Sequence, residues 1–183
     1  MNVHSKRATR RPFALRGGTI EHNRRDLMSM VKPIPDTYPR VSPHLSVAGA
    51  AEAIDFYTRV LGANERGGRF TMPDGTVAHA EIEVGGSVIM IGDEVPGRGD
   101  PSPKTLGGSA VALFVYVEDV DDVFRRAVEA GAEGVEAPSD AFYGDRVATI
   151  HDPFGHRWNI ATHIEDVSPA EMGRRAAETM GGG

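Results

Sequence analysis

Apolar positions are scattered along the chain as far as Pro39, and after it they fall into regular rhythms. Val41 to Val47 reads as a short strand. Gly49 leads into a segment whose apolar residues, Ala50, Ala53, Ile54, Tyr57 and Leu61, form the i, i+3, i+4, i+7, i+11 stripe of a helix covering a core. Gly62 stands where a helix-ending left-handed residue belongs. Extended segments are expected over 64–71, 77–84 and 87–92, parted by the turn signals Pro73-Asp74-Gly75 and Gly85-Gly86. Within 77–84 the pattern alternates. Val77, His79, Glu81 and Glu83 share one face, while Ala78, Ala80, Ile82 and Val84 share the other. The module reads β-α-β-β-β.

A stretch rich in Pro and Gly, 95–108, reads as a loop, and the same order then returns. Ala110 to Val117 is a buried strand. Asp119 is placed to cap a helix carrying Val120, Val123, Phe124, Ala127 and Val128, and Gly131 ends it. Strands are expected over 134–137, 145–151 and 157–162, with Asp152-Pro153-Phe154-Gly155 as the intervening turn. Val47 and Val117 stand 70 residues apart, and Gly62/Gly131 and Gly86/Gly155 each stand 69 apart. That agreement marks an internal duplication. Ser168-Pro169-Ala170-Glu171 has the form of a capping box and predicts a last helix, to about Met180, before three glycines.

Charge separates the chain in another way. Residues 1–40 carry nine Lys/Arg against three Asp/Glu, and residues 41–183 carry 11 against 23, a net −12. The acidic body excludes nucleic acid as the main partner, because the phosphate term would be repulsive. The basic head lacks both helical periodicity and the apolar core of a secretory signal. It reads as a disordered extension over 1–38, with Met28 and Met30 as alternative starts. No apolar run is long enough to span a bilayer, so no membrane partner is expected and the protein is read as cytoplasmic. The absence of Cys removes disulfides, thiolate-bound metals and thiol nucleophiles, leaving His, carboxylates, Arg and hydroxyls to carry any chemistry.

Two βαβββ modules in tandem, with Ala53-Ile54-Asp55-Phe56-Tyr57 and Val60-Leu61-Gly62-Ala63 in the first, resemble the vicinal oxygen chelate superfamily. In the second module the resemblance rests on Val117-Glu118-Asp119-Val120, Tyr143-Gly144-Asp145-Arg146 and Asp152-Pro153-Phe154-Gly155-His156. That group includes glyoxalase I, bleomycin-resistance proteins and extradiol dioxygenases. Ala78-His79-Ala80-Glu81, with Ile89-Met90-Ile91, looks most like its small bacterial PhnB-like branch. The resemblance covers about residues 41–165. It implies an α+β fold in which two tandem modules, 39–94 and 109–165, form a curled mixed sheet, a cup with helices outside. It also implies four metal-ligand positions in the metalloenzymes, which fall here on Ser42, Met90, Ala112 and Asn159. None is His, Asp or Glu, so no metal and no cofactor is expected.

The remaining polar residues set the functional expectation. His79 and Glu81 lie two apart on one strand face, where an imidazole and a carboxylate can exchange protons, and they are the candidate catalytic pair. His44, Phe114, Tyr116, Arg157 and Asn159 are the candidate ligand contacts. The two aromatics supply an apolar wall, and Arg157 a fork for an anion. Tyr143-Gly144-Asp145-Arg146 reads as a turn with an Asp–Arg pair, and Asp119, Asp121 and Asp122 as acids answering a helix dipole. His151, Asp152 and His156 read as loop chemistry. The resulting picture is a small-molecule-binding protein working as a homodimer. If it is an enzyme, it is a metal-independent lyase or isomerase acting on a metabolite or xenobiotic. Two alternatives stay open: a stoichiometric drug binder, and a metal-dependent lyase, isomerase or dioxygenase with relocated ligands.

Overall fold

The computed structural model describes residues 32–181. The chain divides into two units, Met1–Tyr38 and Pro39–Gly183. Most of the expected basic extension, with both alternative starts, lies outside the described residues. In the first unit a turn closes where the Tyr38 N–H donates to the Pro35 carbonyl at 3.4 Å.

The second unit holds both modules. The first runs β1 (His44–Val47), α1 (Ala50–Leu61), β2 (Asn64–Thr71), β3 (Val77–Val84) and β4 (Ser87–Asp93). A short helix, α2 (Pro103–Leu106), interrupts the stretch expected to be all loop. The second module runs β5 (Ala112–Tyr116), α3 (Val120–Glu129), β6 (Glu133–Asp140), β7 (Asp145–His151) and β8 (Arg157–His163), and α4 (Pro169–Gly181) follows it. Each module makes its own four-stranded sheet, ordered β1-β4-β3-β2 and β5-β8-β7-β6, and neither closes into a barrel. The first strand of each sheet is parallel to the last, and the other neighbours are antiparallel. The architecture is the expected α+β fold of tandem βαβββ modules, with the mixed sheet in two four-stranded halves. No described helix is long and apolar enough to cross a membrane.

The helices start where side chains, some local and some from distant strands, satisfy their free N–H groups. α1 has no capping side chain at Gly49; instead Asp93 Oδ1 accepts from Gly49 N and Ala50 N at 2.9 and 2.8 Å. Asp93 Oδ2 also accepts from Val77 N, tying helix to sheet. Asp119 caps α3 as expected, its Oδ1 accepting from Asp122 N at 3.0 Å. Thr162, 69 residues after Asp93, accepts from Val120 N at 2.9 Å, so the duplication extends to the caps. At the last helix only half of the expected box forms. Ser168 Oγ accepts from Glu171 N at 3.3 Å, while the Glu171 carboxylate turns to Arg174 and Arg175.

The core joins the two modules. Ala50, Ala53, Ile54, Tyr57 and Val60 of α1 are buried with Leu45, Val47, Ala80, Ile82 and Ile91 of the first sheet, and with Ile150, Trp158 and Ile160 of the second. Tyr57 packs on Trp158 and Phe154, with ring centroids 5.4 and 6.4 Å apart. Asp152, expected to be loop chemistry, is instead buried at the centre of this contact. It accepts from Tyr57 Oη at 2.6 Å, Trp158 Nε1 at 2.9 Å and the N–H groups of Phe154 and His156 at 2.9 Å each. Four donors around one buried carboxylate repay its lost hydration.

The acids of the second module also pair differently from the sequence expectation. Arg146 binds Asp121 and Asp140 and leaves Asp145 alone. The expected Asp–Arg pair within the turn is therefore absent, because successive strand residues point to opposite faces. Asp121 and Asp122 answer Arg side chains as well as the helix dipole. Gly144 holds this turn at φ +99°, and a Cβ there would meet the Glu165 carbonyl oxygen at 2.1 Å, so only glycine fits.

Candidate functional site

On the first sheet, pairing sets the candidate residues side by side. His44 of β1 lies opposite Met90 of β4, Met90 opposite Glu81 of β3, and Glu81 opposite Arg66 of β2. These four form one row on the face turned away from Ala80, Ile82 and Ile91. His79 lies one step along the same face. Its ring stacks on that of His44 with centroids 6.4 Å apart and planes 10° apart, and its Nε2 lies 3.3 Å from Glu81 Oε1. The structure thus brings His44, His79 and Glu81 together. His79 is half exposed and Glu81 largely shielded, an arrangement in which a proton can pass between imidazole, carboxylate and a bound molecule.

The equivalent row on the second sheet is Phe114, Asn159, Thr149 and Glu136. Thr149 Oγ1 lies 2.9 Å from Glu136 Oε2 and 3.2 Å from Asn159 Oδ1, with one proton to donate. Phe114 and Tyr116 are half exposed, their rings 5.2 Å apart. Arg157 lies in the next row, between Ala112 and His151. Among the described residues no strand of one sheet is hydrogen-bonded to a strand of the other, so the candidates fall into two separate candidate half-sites. Phe114 and Tyr116 line a groove of about 1380 Å³ that also takes in the end of α1 and the start of α3. His44, His79, Glu81, Arg157 and Asn159 do not line it.

The four family metal positions offer a hydroxyl, a thioether, a methyl and an amide. Ser42 precedes β1, and Met90 and Asn159 occupy equivalent places in the two rows. Such a donor set does not fit a divalent cation, which needs imidazole nitrogens or carboxylates. Among the described residues no group of three His, Asp or Glu converges as metal ligands.

One cluster escaped the sequence reading. Asp145, buried, accepts from Tyr116 Oη at 2.8 Å and pairs with His163 Nδ1 at 2.7 Å, and His163 Nε2 reaches Asp166 at 3.1 Å. The hydrogen bonds to Asp145 and Asp166 raise the His163 pKa, and the bond to Asp145 raises that of the Tyr116 phenol. Tyr116 and His163 both face the large groove. The only signal in the sequence is the glycine before Asp145, whose fit against Glu165 brings the start of β7 to the end of β8. His156, read as loop chemistry, is buried. Burial lowers its pKa against the opposing pull of Asp152 and the Ser46 backbone.

Residues 40–160 match the Glyoxalase/Bleomycin resistance protein/Dioxygenase superfamily. The chain belongs to this superfamily. A Mycobacterium bovis protein named only as uncharacterized is 40% identical over 148 residues, 79% of this chain and 96% of its own. Among solved structures, a gene product of Arabidopsis thaliana is 27% identical with a TM-score of 0.56, covering 68% of this chain and 98% of its own. TioX from Micromonospora sp. ML1 is 26% identical with a TM-score of 0.51, covering 71% of this chain and all of its own. The superfamily hosts many chemistries on one scaffold, so function has to be argued from the half-sites.

Proposed function

We propose that this superfamily member, of the PhnB-like branch, binds a small organic molecule on the open faces of its sheets as a cytoplasmic homodimer. In this reading it acts on the molecule without a metal, by proton transfer through His79 and Glu81. The observation that carries the proposal is the His44–His79–Glu81 cluster, an acid–base group on the sheet face turned away from Ala80, Ile82 and Ile91. Phe114 and Tyr116 supply an apolar wall, and Asn159 and Arg157 orient polar groups of the ligand. β1 and β5 are the edge strands of their sheets, and the apolar side chains at Val111, Phe114 and Tyr116 are exposed. A second copy would bring a first-sheet face and a second-sheet face to one ligand.

The exposed Phe114–Tyr116 pair favours a second reading, a stoichiometric binder that stacks an aromatic compound. One experiment separates the two. A thermal-shift screen of metabolites and drugs supplies a compound, which is then assayed for binding and turnover with His79→Ala, Glu81→Ala and Ile82→Ala. Ile82 is fully buried, so Ile82→Ala is expected to cost about 2–5 kcal/mol of stability and leave the chemistry of the folded fraction intact. The two polar substitutions are expected to spare the fold and abolish turnover. Normal turnover in both, or unfolding as severe as that of Ile82→Ala, overturns the assignment. Binding without turnover in the unaltered protein selects the second reading.

A further inference from the structure

We propose that the second module carries a pocket for a small oxyanion, a phosphoryl or carboxylate group, formed by Lys104, His151 and Arg157 around the Gly107-Gly108 turn. The pocket shares Arg157 with the ligand reading above and otherwise stands apart from it. These residues line a cavity of about 350 Å³ at the end of the second sheet, room for a head group or a very small molecule. Arg157 and His151 are direct neighbours across β8 and β7, so both side chains rise from one face of the sheet. Lys104 arrives from α2, which packs on the β7–β8 turn so closely that a Cβ at Gly155 would lie 3.0 Å from Pro103. Its Nζ sits 5.9 Å over the Phe154 ring. Gly107 and Gly108 leave open space where side chains would be, while their N–H groups donate to the Pro103 carbonyl.

Charge pairing and position together single these cations out. Residues 41–183 hold 23 carboxylates for 11 Lys and Arg, so a carboxylate is available for every cation. Seven of the 11 take one. Arg59, Arg98, Lys104 and Arg157 pair with none among the described residues, and of these four Lys104 and Arg157 open onto the same recess. An acidic surface that leaves two cations together and unneutralised is arranged for an anion supplied from solution. Two carboxylates also line the cavity. Asp152 is committed to its four inward donors. Glu133 is exposed and rests on His151 Nδ1 at 3.3 Å, where an incoming oxyanion would replace it. The Arg157 guanidinium then offers a two-pronged contact and Lys104 a point charge.

The test titrates the full chain with inorganic phosphate, and separately with acetate, at constant ionic strength kept with chloride. Amide spectra and calorimetry are the readouts. Saturable shifts are expected at Gly107, Gly108 and Ser109, with phosphate or acetate binding that Arg157→Ala and Lys104→Ala each weaken about tenfold or more. Glu133→Gln is expected to tighten binding. Preference for phosphate assigns a phosphoryl ligand, and preference for acetate a carboxylate. Both substituted side chains are exposed, and an unchanged melting curve confirms that each variant folds. The pocket is overturned by an absence of saturable shifts up to tens of millimolar, or by binding that survives both substitutions. Repeating the phosphate titration with His79→Ala lets the two proposals fail separately, since phosphate binding persists there whatever becomes of the organic ligand.

Discussion

Asp145 and Asp152 are both buried carboxylates, but their partners give them different consequences. Asp152 has only structural donors, so Asp152→Ala strands Tyr57 Oη, Trp158 Nε1 and two N–H groups inside the core. A loss of about 3 kcal/mol or more is expected in urea unfolding, and a loss under about 1 kcal/mol would show that water replaces the carboxylate. Asp145 holds a histidine that titrates. Raised above the ordinary 6.5, His163 contributes stability that is full below that value and is lost as pH rises through its folded pKa. His156 works in the opposite sense. Its lowered pKa makes the unfolded chain bind the extra proton first, so stability falls as pH drops below 6.5. Histidine NMR titration should therefore find His163 titrating above 6.5 and His156 below it, and Asp145→Asn should bring His163 down. The reverse order of the two midpoints would contradict the burial and pairing on which these signs depend.

Each module's helix is joined to its own last strand by an equivalent residue, Asp93 in one and Thr162 in the other. The chemistry of the two joints differs. Asp93 is a carboxylate serving three backbone donors, whereas Thr162 serves one donor and itself donates to the Val117 carbonyl at 3.0 Å. Asp93→Ala is expected to cost about 2 kcal/mol and Thr162→Val about 1 kcal/mol, because charge-assisted bonds are the stronger. Hydrogen exchange at Gly49, Ala50 and Val77 should quicken together in Asp93→Ala. Exchange that quickens only at Val77 would mean that α1 finds another cap. These joints hold the helix start against the end of the sheet and so fix where the facing strand residues, His44 and Phe114 among them, emerge.

For the whole molecule, the joined core and the divided sheets lead to one expectation. α1 packs on residues of both modules, while the two sheets carry separate candidate half-sites. Sedimentation should find a particle of twice the 19.6 kDa chain, and Phe114→Glu should convert it to single chains with the helical signal unchanged. A single-chain particle from the unaltered protein would leave each half-site to act alone, and the dimer would have to be abandoned.

The duplication, the strand and helix order and the polar face of β3 were legible in the sequence, because period and alternation are local properties. His79 and Glu81 share a face by the pleat alone. The stacking of His44 on His79 needed the parallel pairing of β1 with β4, which sequence spacing cannot supply. Asp152 and Asp145 were misread for the same reason. Their partners lie 95 residues away at Tyr57 and 29 away at Tyr116, and nothing in a four-residue turn announces such distances. Tertiary structure also decided that Phe114 faces the large groove while Asn159, its neighbour in the row, does not, and that Lys104 meets Arg157. Local sequence sets which way a side chain points from its own backbone. What it points at depends on how separate segments are brought together by burial, and that is a property of the whole folded chain.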